Sequence, residues 1–108
     1  MNKYRAKGQY FDGKWFSSQK ELRRYRELEL LQRAGKIKDL VCQPVFKFPI
    51  KYDSGRVMSY KADFQYTENP GRPNAYRVVE DVKGFKTQVY KIKKALVKHF
   101  HGVEIKEV

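Results

Sequence analysis

The sequence predicts an α/β domain of order α-β-β-β-α-β, with a mixed sheet flanked by helices and a short N-terminal hairpin ahead of it. Three observations carry this expectation. Two stretches repeat apolar residues at helical spacing between cap-forming residues, three stretches between them alternate apolar and polar residues, and clusters of Gly, Pro and Asn separate the pieces. A chain of 108 residues has the length of one domain, and residues 1–108 are read as such.

The elements follow in chain order. Residues 1–8 are basic and expected to be loose. Gln9-Tyr10-Phe11 and Lys14-Trp15-Phe16 flank Asp12-Gly13, a two-residue loop suited to a hairpin, and Trp15 reads as a core residue. The first helix is expected over 18–34. Ser17 or Ser18 can cap it, Gly35 can end it, and Leu22, Tyr25, Leu28 and Leu31 form its apolar stripe, with Arg23, Arg24, Arg26 and Glu27 opposite. Phe46, Phe48 and Ile50 alternate with Lys47, Pro49 and Lys51 as the first strand. Beyond the Asp53-Ser54-Gly55 turn, Met58, Tyr60, Ala62, Phe64 and Tyr66 mark the second. The breaker Asn69-Pro70-Gly71-Arg72-Pro73-Asn74 leads to a valine-rich third strand over 76–83. Thr87 can cap a second helix over 88–100 with Val89, Ile92, Leu96 and Phe100 as its stripe, and 103–108 alternates again. The first three strands suit an antiparallel meander, and the final helix and strand suit a right-handed crossover to a parallel neighbour.

Charge narrows the function. Twenty-four Lys and Arg against twelve Asp and Glu give a net +12. Such an excess concentrates polyanions at the surface, whereas solubility alone accounts only for a mild one. DNA is the expected partner, ahead of an anionic membrane, because neither helix has a strongly apolar face. Lys86, Lys91, Lys94, Lys98 and Arg24 are the expected DNA contacts. Hydrophobic residues at 41% and aromatics at 15% exclude a disordered basic tail. No apolar run reaches the length of a membrane span, and no hydrophobic leader is evident. The single cysteine, Cys42, cannot form an intrachain disulfide, which makes the reducing cytoplasm the default compartment.

The carboxylates need a reason of their own. Asp63 sits within a strand-like stretch that disfavours aspartate. Period-two alternation puts Val79, Asp81 and Lys83 on one face of the third strand and Val78, Glu80 and Val82 on the other. If the two strands pair, Asp63 and Asp81 converge near a sheet edge. Converging carboxylates repel unless a cation lies between them, and a hard ion such as Mg²⁺, with Mn²⁺ as a substitute, suits oxygen ligands. Such an ion can activate water against a phosphodiester, and a lysine can stabilise the charge that develops. The acid-x-Lys spacing proves little, since twelve acids and sixteen lysines give about two chance matches. Of Asp12-Gly13-Lys14, Asp81-Val82-Lys83 and Glu104-Ile105-Lys106, only the second has an acid-bearing strand before it and a basic helix after it. A salt-bridged sheet face is the competing explanation. Glu21 is open between two roles, because it falls within the helix stripe and also completes a capping box, Ser18-Gln19-Lys20-Glu21. His99 and His101 lack a matching set of zinc ligands.

Phe16-Ser17-Ser18 through Glu21 and Arg24, Gly35-Lys36-Ile37 through Leu40, and Gln43-Pro44 open a longer pattern. It continues with Tyr60-Lys61-Ala62-Asp63-Phe64, Val79-Glu80-Asp81-Val82-Lys83-Gly84, Thr87, Tyr90 and Lys91. In these residues the chain resembles a group of small phage-encoded proteins, a domain family of unknown function. That group belongs to the PD-(D/E)XK nuclease superfamily, near Holliday junction resolvases and very-short-patch repair endonucleases. The resemblance implies a restriction-endonuclease-like αβββαβ core and a Mg²⁺-dependent endonuclease acting on double-stranded or branched DNA in phage recombination or replication. It implies that Asp63 and Asp81 are metal ligands, Lys83 the catalytic lysine and Glu21 the acid of the first helix. Lys61-Ala62 stands before Asp63 where the superfamily name implies proline, and Glu80-Asp81 leaves a choice of register in which the strand-face argument favours Asp81. A homodimer on branched DNA is expected, since paired cuts call for two sites. A basic DNA-binding or assembly protein on the same fold is the alternative.

Overall fold

The computed structural model describes residues 8–108, so the basic segment ahead of them lies outside the described residues. Ten elements follow one another: β1 (Gln9–Phe11), β2 (Lys14–Phe16), α1 (Gln19–Arg33), β3 (Ile37–Cys42), β4 (Val45–Lys51), β5 (Val57–Lys61), β6 (Phe64–Glu68), β7 (Tyr76–Asp81), α2 (Gln88–His101) and β8 (Lys106–Glu107). The central sheet has the order β3-β6-β7-β8. Its pairs are antiparallel except β7–β8, which is parallel, as the crossover through α2 requires.

Local chemistry explains the ends of most elements. Asp12 and Gly13 both take positive φ, 54° and 75°, the geometry in which a two-residue loop matches the twist of its hairpin. The Ser18 hydroxyl accepts from the Glu21 amide at 3.1 Å, and the Thr87 hydroxyl accepts from the Tyr90 amide at 3.1 Å. Each cap satisfies a helix donor that would otherwise be orphaned. Gly102, at φ 67°, closes α2 with its amide donating to Lys98 O.

The sheet separates two buried clusters. On one side Phe16, Leu22, Tyr25 and Leu28 pack on Ile37, Phe64, Tyr66 and Val78. On the other, Tyr90 and Val97 of α2 pack with Phe46, Phe48 and Tyr60 on Val79, Val103 and Ile105. The alternation expected along β7 is present: Val78 faces α1 and Val79 faces α2. Glu80 follows Val78 and Asp81 follows Val79.

Three expectations are corrected. First, six strands take part where four were expected after α1 and the hairpin. The added strand, β3, escapes a period-two reading because Asp39 takes φ 58° and the pairing with β6 shifts register between Lys38 and Val41. That bulge puts Ile37, Leu40 and Cys42 against the same cluster. The expected second strand is also two strands. Its β5 half pairs with β4, its β6 half with β3 and β7, and the crease between them falls at Ala62-Asp63. The facing chain bends at the same level through Gln43, at φ 58°, and Pro44, which has no amide to donate. A long ribbon thus folds over, and its β4–β5 end leaves the central sheet to cover α2.

Second, the stripe expected for α2 is rotated. Val89 and Ile92 remain 61% and 58% exposed, and Tyr90 and Val97 face the core instead. Tyr90 wins because its ring packs beside Tyr60 while its hydroxyl reaches Glu107 at 2.8 Å, a pairing that hydrophobic spacing does not register. Third, Trp15 is not a core residue, being 49% exposed on the outer side of the β1–β2 hairpin.

Candidate functional site

The register of β6 against β7 pairs Phe64 with Glu80. Carried one residue further, it sets Asp63 opposite Asp81 at the end of the sheet. The Asp63 amide donates to Glu80 O at 3.1 Å, and its Oδ2 accepts from the Val82 amide at 2.7 Å. Asp63 therefore closes the ladder with its own side chain where the ribbon creases. Asp81 is 2% exposed. Its Oδ1 lies 3.4 Å from Lys83 Nζ, while its Oδ2 is buried without a hydrogen-bond partner among the described residues. The Tyr60 hydroxyl is the other such atom.

Both aspartates hold their protons more tightly than usual. Burial pushes Asp63 up to about 6, with the Val82 amide opposing and Glu21 reinforcing. Burial likewise pushes Asp81 up to about 6, partly offset by Lys83 and reinforced by Glu21 and Glu107. Two desolvated carboxylates in the field of a third gain from a cation, and an orphaned carboxylate oxygen offers one lone pairs. The donors are hard oxygens, which suit Mg²⁺. That ion takes one or two protein carboxylates and completes its shell with water and phosphate oxygens. Among the described residues no three His, Cys, Asp or Glu side chains are grouped closely enough to hold a metal ion. Glu21 thus shares the field of the two aspartates without joining them in a three-carboxylate cage.

Glu21 lies in the first turn of α1. Its amide completes the Ser18 cap, but its carboxylate accepts from the Ser17 hydroxyl at 2.8 Å. It also lines a cavity of about 330 Å³ together with Asp63, Lys14, Trp15, Gln43 and Lys61. Lys83 leaves β7 with its ammonium over the Tyr90 ring, 4.4 Å from the centroid, and its carbonyl accepts from Lys20 Nζ at 3.4 Å. A cation–π contact and a carboxylate together hold that ammonium beside Asp81.

Sequence reasoning missed several of these neighbours. Lys61 was within reach, since it stands two residues from Asp63 in the same alternation. Lys14 belongs to the acid-x-Lys match on the hairpin turn, a context that by itself does not point to a site. Trp15 reads as core and Gln43 appears only within the family pattern, because their place at the cavity depends on how the hairpin and the crease meet.

Glu80, the neighbour of Asp81, serves the fold. Arg24 Nε and Nη2 donate to its two oxygens at 2.8 and 2.6 Å, and the Tyr66 hydroxyl donates to Oε2. Burial would raise its pKa, but these bonds outweigh burial and hold it below the ordinary value. Arg24 was expected to meet DNA. Instead its guanidinium turns inward to Glu80, with Glu27 taking a third contact at 3.2 Å. The other expected contacts lie on or near α2. Lys86 and Lys94 reach Glu107 at 2.9 and 3.0 Å, and Lys98 reaches Glu104 at 3.0 Å. Lys91, Lys94 and Lys98 line one shallow groove. Lys86, Tyr90 and Lys94 together pull Glu107 down to about 2.

Among the described residues no helix is long and apolar enough to cross a membrane. No curated protein and no solved structure matches the chain. The model of one family, described as "Protein of unknown function (DUF1064)", matches residues 1–107, and the chain belongs to that family.

Proposed function

We propose that this protein is a metal-dependent endodeoxyribonuclease on a restriction-endonuclease-like core, cutting DNA phosphodiesters at branched or junction DNA. One observation carries the reading: Asp81 stands across from Asp63 at the sheet end, with its buried Oδ2 unpartnered among the described residues and Lys83 Nζ 3.4 Å from its Oδ1. A purely structural ion pair has no use for that oxygen, since burying a polar atom without a partner costs on the order of 1–3 kcal/mol.

Asp63 and Asp81 would hold Mg²⁺ or Mn²⁺, which when bound would polarise the phosphate and lower the pKa of an attacking water. Lys83 would stabilise the negative charge that develops on the phosphate. Its position over Tyr90 keeps the ammonium in place before substrate arrives. Glu21 supports the site electrostatically by adding negative potential at both aspartates. The net charge of +12 draws the DNA in, at a cost in salt sensitivity.

Linear, flap, fork and four-way-junction DNA incubated with the protein across a Mg²⁺ titration and in EDTA test this directly. Cleavage is expected with metal, none in EDTA, and most on a branched substrate. Binding of every substrate without cleavage at any metal concentration would identify a DNA-binding protein instead.

A further inference from the structure

The β1–β2 hairpin has two aromatic faces. Phe16 is buried and Phe11 meets the Tyr25 ring at 6.4 Å, so this face anchors the hairpin to α1. The cross-strand pair Tyr10–Trp15 occupies the other face, with ring centroids 5.0 Å apart in an edge-to-face arrangement. Tyr10 is 74% exposed and Trp15 49%. The pair stabilises the hairpin and at the same time presents two adjacent exposed rings on the side that faces away from α1. The indole is nevertheless held in place, because it lies so close on Gly8 that a Cβ there would be 2.2 Å from the ring. Trp15 also forms a wall of the cavity that contains Asp63, and Lys14 and Lys61 line the same cavity.

We propose that Tyr10 and Trp15 form a stacking platform for an unpaired base, so that the substrate is DNA carrying unpaired nucleotides beside the phosphate at Asp63. This inference rests on the nuclease reading for the scissile phosphate, but the stacking itself does not. Lys14 and Lys61 supply the charge that a phosphate backbone needs. A second copy of a chain with net +12 would meet repulsion at the same surface. In a duplex the base faces are covered by their neighbours, and only an end, a flap or a junction offers a free one. Alternating aromatic and basic groups are how single-stranded nucleic acid is held without regard to sequence.

Trp15 is the only tryptophan in the chain, so its fluorescence reports on this platform alone. The protein is titrated in EDTA with a blunt duplex and with the same duplex bearing a short single-stranded tail. Occupancy is followed separately by the anisotropy of a label on the DNA. The tailed duplex is expected to quench Trp15 at saturation, and the blunt duplex is expected to leave it nearly unchanged at equal occupancy. Trp15→Ala should weaken binding to the tailed probe roughly ten- to hundredfold. Blunt-duplex affinity should hold within about twofold, and Trp15→Phe, which keeps a ring, should keep most of the preference. Equal quenching by both probes, or an intact preference in Trp15→Ala, overturns the inference. So does a dimer of the free protein in sedimentation that Trp15→Ala dissolves, since the patch would then be a self-interface. Quenching by the tailed probe with no cleavage when Mg²⁺ is supplied sinks the nuclease reading and leaves the platform standing. Cleavage of the tailed probe without quenching does the reverse.

Discussion

Glu80 and Asp81 are consecutive residues of β7, one 0% and the other 2% exposed, yet their surroundings are opposite. On the α1 side, Glu80 receives two bonds from Arg24 and one from Tyr66, and its charge is held firmly. On the other side, Asp81 receives one lysine and has one oxygen without a partner among the described residues, and burial resists its charge. The same strand therefore carries a carboxylate that stabilises the fold and one that strains it. A buried carboxylate oxygen without a partner, beside a second desolvated carboxylate, is the feature that supports the proposed metal site.

The largest effect that would sharpen this contrast is on cleavage. Asp63→Asn or Asp81→Asn is expected to abolish it while DNA binding stays equal or tightens, because each change removes a negative charge beside phosphate. Lys83→Ala should cost about 10²–10³ in rate while metal affinity, measured by calorimetry, survives. A dead Glu80→Gln with an active Asp81→Asn would move the centre to the other face of β7.

Next in size is the stability carried by Glu80. Glu80→Gln leaves the Arg24 fork without its charge partner and should destabilise the fold by about 3 kcal/mol in urea unfolding. Activity per folded molecule should remain. The sign with pH follows from the lowered pKa of Glu80. Its contribution is complete above the ordinary glutamate value and is lost as pH falls through the lower folded-state value. Glu80→Gln should erase that acid limb, and an unchanged limb would show that Glu80 does not govern it.

Asp81 should behave in the opposite sense. Its pKa rises from 3.8 to about 6, so the folded state binds the proton more tightly than the unfolded one. The penalty is complete above about pH 6 and gone below about pH 4. Asp81→Asn is therefore expected to stabilise the protein by about 2–3 kcal/mol at pH 7.5, with the gain vanishing at the acid end. Mg²⁺ should raise the melting temperature of the parent and not of this variant. A destabilised Asp81→Asn at pH 7.5 would show that the Lys83 ion pair outweighs desolvation.

The smallest effect separates the lysines of α2. Lys91→Ala should lower the slope of log affinity against log salt by about one, as expected for one phosphate contact. Arg24→Gln, measured on folded protein, should leave that slope unchanged, because the Arg24 guanidinium faces Glu80. An Arg24 effect equal to that of Lys91 would restore Arg24 to the DNA interface.

The sequence by itself determined both helices and their N-caps, the Asp12-Gly13 turn, the parallel closing strand and the alternation that divides Glu80 from Asp81. All but the pairing of the closing strand, which follows from the crossover rule, rest on neighbours within a few residues, where propensity and periodicity act. It did not determine that Asp63 stands at a crease, because the crease depends on Gln43 and Pro44 bending opposite it across a ribbon. Nor did it reveal β3, whose bulge at Asp39 erases the alternation that marks a strand. The rotation of α2 was decided by Tyr90 reaching Glu107, and the inward turn of Arg24 by a glutamate 56 residues away. The exposure of Trp15 is settled by which hairpin face packs on Tyr25. In each case the deciding partner is distant in sequence, so only the tertiary structure could choose between placements that local pattern leaves equal.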